Sequence, residues 1–309
     1  MRAVVVQEFG GPEALEVVDV PVPVPGPGQV RIRVSAAAVN PVDLATTAGV
    51  FAEMGVVAGT GSTAIGWDVA GVVEEAGAGV AFVPGDAVIG LRTRLADPLG
   101  TWAEQIVLDA AAVAPAPDGV DPVAASTLPL NSLTALQALD ALALKTGQTL
   151  LVTGAAGAVG GFAVELAALR GLRVVAAAGA SDEEVVRGFG AEFFVPRTED
   201  LAEGVRKRVP GGVDGAIDAA VLGYPALDAI ADGGAFAAVI GNGPDNYRGV
   251  RIHAVRIKAD RVALTGLSRL AASGHLTLRV AGTHPLAEAA KAAARLRDGG
   301  LRGRLVLLP

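Results

Sequence analysis

Short apolar runs, broken by glycine and proline, alternate along this chain with stretches whose apolar positions recur every three or four residues. The best-ordered instance lies between Thr149 and Leu172. Leu150, Leu151 and Val152 form an apolar run long enough for a buried strand. Glycines follow at Gly154, Gly157, Gly160 and Gly161. From Ala158 the spacing turns helical, with Val159, Phe162, Ala163, Leu166 and Leu169 on one repeat and Gly171 as a stop. Leu172 then leads into a second apolar run, Val174 to Ala178. Strand, glycine turn, helix, strand is the order of a dinucleotide-binding unit.

A diphosphate needs backbone N–H donors and a positive helix end, with no side chain in the way. Gly154 suits the tight turn, Gly157 lets a cofactor approach, and Gly160 lets helix pack on strand. Ala156, Ala158 and Val159 complete the expected phosphate loop. The spacing is G-x-x-G-x-x-G, with alanine where the commonest form has a glycine. A tight strand-to-helix turn without a ligand is the alternative.

The remaining periodicity divides the chain. Ala3 to Val6, Leu15 to Val20 and Val30 to Val34 read as strands, separated by a proline-rich stretch that neither a helix nor a central strand accepts. Asn40-Pro41 opens a short helix, and residues 66–91 are β-rich with turns at Gly77, Gly79 and Pro84-Gly85. Residues 110–120 read as a linker. Helices follow from Asp121-Pro122 and over Leu133 to Leu144. Strands and helices then alternate. The strands are Phe193 to Val195, Val213 to Asp218, Ala235 to Gly241 and Gly249 to Ile257; the helices are 182–189, 198–208, 259–273 and 285–298. Arg304 to Leu308 reads as a final strand. The pattern predicts an α/β chain of two domains, a β-rich one first and then a doubly wound parallel-sheet (Rossmann) one.

Composition narrows the chemistry. The chain has 309 residues, 51% hydrophobic and 18% charged, enough to bury two cores. A formal charge of −7 argues against a nucleic-acid surface. With no cysteine, disulfides and cysteine-ligated metals are excluded. No signal-peptide core stands at the N-terminus, and the least charged stretch, Val123 to Leu139, is interrupted by Pro129 and polar residues. The expectation is a soluble cytoplasmic protein without a membrane span.

N-P-V-D at 40–43, G-W-D-V-A-G-V-V at 66–73, V-P-G-D-A-V at 83–88 and L-P-L-N-S-L-T-A at 128–135 lead to the glycine turn; R-G-R-L-V-L at 302–307 closes the series. In this order the chain resembles the medium-chain dehydrogenase/reductase superfamily, in its zinc-free quinone oxidoreductase (zeta-crystallin-like) branch. The resemblance implies a GroES-like β-barrel and a dinucleotide domain, with the active site in the cleft between them. It also implies a homodimer and a C-terminal strand returning to the barrel, so that residues 1–118 and 275–309 form the GroES-like domain and 119–274 the dinucleotide domain.

The only histidines, His253, His275 and His284, fall late in the chain, so no zinc is expected. The second strand of the nucleotide unit ends at Ala178-Gly179 without the acid that holds a ribose 2′-hydroxyl, which favours NADPH over NADH. Ser181 is either a 2′-phosphate contact or part of a capping box with Glu184. Glu183 and Glu184 stand where the family has positive charge, and Arg197 or Arg187 is left to supply it. Thr127 belongs near the cofactor by resemblance, as does Asn131, which also borders the substrate. Gly241 and Asn242 end the fifth strand and line the nicotinamide or form a plain turn. Arg304 approaches the cofactor or is a solvated charge. Asn40 is the catalytic candidate, an amide able to donate to developing enolate charge, with a turn cap before Pro41 as its alternative. Phe51 takes a place where the family often has tyrosine, so it lines the pocket without donating a proton. The favoured expectation is zinc-independent hydride transfer from NADPH to a small quinone or α,β-unsaturated carbonyl. A pathway-specific enoyl reductase and a non-enzymatic NADPH-binding protein are the alternatives.

Overall fold

The computed structural model describes residues 1–57 and 62–309. In chain order the strands are β1 Arg2–Val6, β2 Leu15–Asp19, β3 Gln29–Val39, β4 Thr63–Ala64, β5 Asp68–Ala76, β6 Ala87–Leu91, β7 Gln105–Asp109, β8 Val113–Pro115, β9 Thr149–Thr153, β10 Arg173–Ala178, β11 Phe193–Pro196, β12 Val213–Asp218, β13 Ile230–Ala238, β14 Arg251–Ala254, β15 Val280–Pro285 and β16 Arg304–Leu308. The helices are α1 Pro41–Thr47, α2 Val50–Glu53, α3 Pro122–Ala125, α4 Pro129–Leu142, α5 Ala158–Leu169, α6 Glu183–Gly188, α7 Leu201–Arg208, α8 Tyr224–Asp228, α9 Arg261–Ala272 and α10 Ala289–Arg297.

Two compact units result. The first comprises Met1–Leu130, Lys258–Ser273 and Leu278–Pro309, the second Asn131–Ile257 and Gly274–Thr277. The first unit is β-rich. A 7-stranded sheet runs β15-β16-β3-β5-β6-β8 with β7 also paired to β3, and a 3-stranded sheet runs β2-β1-β4. Alternation explains the core: Val30, Ile32 and Val34 of β3 point inward and join Val69, Val73, Val88, Ile106 and Leu305 in one buried cluster. The returning C-terminal strand is present, with β16 antiparallel to β3.

The second unit is a 6-stranded sheet in the order β11-β10-β9-β12-β13-β14, parallel throughout. The strand order reverses between β9 and β12, the place where a dinucleotide sheet opens its crevice. All five residues of β9 are buried, as expected for a central parallel strand.

Several boundaries move from the sequence reading. Helix 259–273 belongs to the first unit by its contacts: Ser268 Oγ donates to Pro115 O at 2.8 Å, and the Arg261 guanidinium lies 4.6 Å from the Phe82 ring centroid. The expected linker contains β8, whose Val113 and Ala114 are fully buried. The helix expected from 285 begins at Ala289, because Val280–Pro285 pairs in parallel with β16. α4 begins earlier than expected, at Pro129, where a first-turn proline costs no hydrogen bond. β13 starts and ends earlier than Ala235 to Gly241, and β14 is shorter than Gly249 to Ile257.

Candidate active site

The second unit supplies a cradle of bare backbone. Gly154 has φ +59°, the left-handed turn that a side chain disfavours. A Cβ on Gly160 would run into Gly154 O, so α5 starts hard against the turn; the glycine serves helix-to-turn rather than helix-to-strand packing. Gly157 is the residue before α5 and no side chain caps that helix. Its first-turn N–H groups, from Ala158, Val159 and Gly160, form an anion-accepting end. Ala156, just before them in the chain, is buried. The backbone thus fits a pyrophosphate.

At the carboxyl end of β10, Gly179 is flanked by two opposite charges. An ideal Cβ there would lie 2.9 Å from Asp182 Oδ2 and 3.6 Å from Arg197 Nη2. Arg197 is exposed and forms no ion pair among the described residues. Arg187 is committed elsewhere, donating from Nε to Glu183 Oε1 at 2.9 Å. Ser181 is not the cap of the next helix: it sits in a 3-10 turn over Ala180–Asp182, and α6 starts after Asp182. Gly179 opens that extra turn, with Asp182 N–H bonded to Gly179 O at 2.9 Å, and displaces the expected capping box.

Gly241 and Asn242 lie beyond the end of β13 in an exposed loop. Arg256, unnoticed in the sequence, holds it by donating to Asn242 Oδ1 at 2.6 Å. Asn131 opens the second unit and is buried.

In the first unit Asn40 is fully buried just before α1. Its side-chain Nδ2 donates to Asp68 Oδ2 at 2.7 Å, and its backbone N–H donates to Asp43 Oδ2 at 2.8 Å. Asp68 Oδ1 also accepts from Leu130 N at 2.6 Å. Both carboxyls are buried, and burial dominates both. The Asp43 carboxyl is pushed up to about 8, against the pull of the Asn40 N–H and with help from the Asp68 charge. Asp68 is pushed up to about 7 by burial, moderated by the Leu130 N–H, the Asn40 amide and the Arg304 charge. Arg304 is therefore not a solvated charge. It is half-buried with an enclosed Nε, and burial lowers it to about 10 against the attraction of Asp68 and Asp43. Asn40 and Arg304 thus meet around Asp68, a residue the sequence reading passed over.

Phe51 pairs with Trp67 at 6.4 Å between ring centroids. Thr127 is buried and donates to Ala124 O at 2.8 Å, a bond internal to the first unit. Arg92 is a second hub absent from the sequence reading. Its buried guanidinium donates to the backbone oxygens of Ala64, Gly66, Leu95 and Asp97.

Residues 26–118 match the family described as alcohol dehydrogenase GroES-like domain, and residues 189–307 match zinc-binding dehydrogenase. A structure described as an NAD-dependent alcohol dehydrogenase is 31% identical with a TM-score of 0.87, covering 100% of both chains.

The chain belongs to the medium-chain dehydrogenase/reductase superfamily, in its quinone oxidoreductase branch. A chloroplast envelope quinone oxidoreductase homolog of Arabidopsis thaliana is 33% identical over 225 residues, 69% of this chain and 65% of the relative. The chain thus spans slightly less than two thirds of the length of that relative. A mycobacterial protein solved in complex with NADPH is 29% identical with a TM-score of 0.83, covering 100% of both chains. The zinc named in the second family description finds no donor set here. The chain has no cysteine, and among the described residues no three His, Cys, Asp or Glu side chains group as a metal would require. Among those residues, too, no helix is long and apolar enough to cross a membrane.

Proposed function

We propose that this protein is a zinc-independent oxidoreductase that uses NADPH to reduce a quinone or an α,β-unsaturated carbonyl. The observation that carries the reading is the uncapped start of α5 behind the left-handed Gly154, at the switch point of a 3-2-1-4-5-6 parallel sheet. When bound, the nicotinamide supplies the hydride; the protein's part is to bind, orient and exclude water. Ala158, Val159 and Gly160 hold the pyrophosphate through their N–H groups. Gly241 and Asn242, steadied by Arg256, line the nicotinamide. Asn40 donates a hydrogen bond to the acceptor's oxygen, its amide orientation set by Asp68. Phe51, backed by the buried Trp67 ring, offers aromatic surface to a planar acceptor.

NADPH is favoured by Arg197, an exposed guanidinium beside Gly179 that makes no ion pair among the described residues, and by the absence of an acid at Ala178. A second reading, NADH, rests on Asp182, whose carboxylate also borders Gly179. Titrating the protein with both cofactors, then adding a panel of quinones and enones, tests the proposal. Oxidation of NADPH on at least one acceptor supports it. Binding of neither nucleotide overturns it.

A further inference from the structure

The loop after β12 carries a strained residue that the function above does not use. Val221 has φ +56°. A β-branched side chain in that region is an outlier, and such strain is held only where the surroundings enforce it. Val221 is also 56% exposed, so no core packing explains its conformation.

The enforcing group is Asp218, buried at the end of β12. Its Oδ1 accepts from Thr153 Oγ1 at 2.6 Å and from Leu222 N at 3.1 Å, and its Oδ2 accepts from Gly223 N at 2.8 Å. Thr153 Oγ1 in turn accepts from Ala220 N at 3.0 Å. One carboxylate and one hydroxyl therefore bind the N–H groups on both sides of Val221, folding the chain back through the left-handed turn. Thr153 ends β9, immediately before the glycine turn, so the latch spans the two strands at which the sheet reverses. The loops they carry touch: a Cβ on Gly154 would lie 3.3 Å from Ala220 N.

We propose that Asp218 and Thr153 are positioning residues that hold Val221 as a preformed apolar wall of the dinucleotide crevice, opposite the glycine turn. The inference rests on the nucleotide-binding reading above and deepens it. The strain is kept because the wall is needed before the cofactor arrives, so that no ordering is left for the binding step.

Val221→Gly removes both strain and wall while leaving every latch hydrogen bond in place. Thr153→Val removes the hydroxyl at nearly constant shape, and Thr153→Ser restores it. The measurements are NADPH dissociation constants by fluorescence titration, alongside thermal midpoints of the same samples. The expected result is about a tenfold weaker NADPH affinity in Val221→Gly with an unchanged or higher midpoint. Thr153→Val loses affinity in the same way, and Thr153→Ser recovers it. If the parent binds NADPH and Val221→Gly binds equally well, whatever the midpoints do, the positioning role is overturned and the functional reading stands. If the parent binds neither NADPH nor NADH, the functional reading falls and the inference with it.

Discussion

Two carboxylates and one amide dominate the chemistry of the first unit. Asp43 and Asp68 are pushed up from the ordinary 3.8 to about 8 and about 7, chiefly by burial. A raised acid favours the folded state while protonated, so its contribution is complete at low pH and is lost as pH rises through the folded value. The thermal midpoint should therefore fall between about pH 4 and pH 8, from the ordinary carboxyl value to the higher folded one. Asp43→Asn should flatten that fall, as read by scanning calorimetry across the range; a slope equal to the parent's would contradict the assignment. Arg197 makes a second prediction. Arg197→Ala should raise the KM for NADPH by about tenfold, worth about 1.4 kcal/mol, and leave that for NADH within about twofold. Equal loss for both cofactors would move the 2′-phosphate elsewhere. Local signals brought Asn40, Arg197 and Ser181 to notice in the sequence. Asp68 went unremarked because its partners, Asn40 and Leu130, are 28 and 62 positions away.

The strand–turn–helix of Thr149–Leu169 is the element whose form was most legible. Its glycines, its apolar run and its helical repeat are all encoded within a few residues of each other. Gly160 gives the sharpest test. A methyl group there meets a backbone oxygen that cannot rotate away. Gly160→Ala should cost about 1–3 kcal/mol of stability by overpacking and also weaken NADPH binding, both visible in one thermal-shift experiment with and without cofactor. The element that misled was the segment before α10. Pro285 looks like a helix start, and sequence alone offers no hint that Val280–Pro285 pairs with β16. Such a parallel pairing depends on a partner strand 19 residues or more further along in the chain, not on local propensity.

The whole molecule depends on its last strand. β16 pairs on both sides, with β15 and β3, and buries Leu305, Val306 and Leu307. Burial of each such side chain is worth about 1.5–3 kcal/mol, against a typical total stability of about 5–15 kcal/mol. Deleting residues 304–309 should abolish cooperative unfolding of the first unit, measured by circular dichroism during a thermal scan. The discontinuous make-up of that unit, from three stretches of chain, has the same cause: sheet pairing gathers segments that lie far apart in sequence.

Sequence by itself determined the class of fold, the glycine turn and the absence of cysteine ligands, because strand and helix periods, turn glycines and composition are properties of neighbouring residues or of the chain as a sum. Tertiary structure alone decided which charges face one another. Asp68 against Asn40 and Arg304, Arg92 against four carbonyls, Asp182 and Arg197 across Gly179, and Asp218 around Val221 all rest on register and crossover. Those partnerships set the acid strengths and the strain, since burial and Coulomb attraction act through space and take no account of distance along the chain.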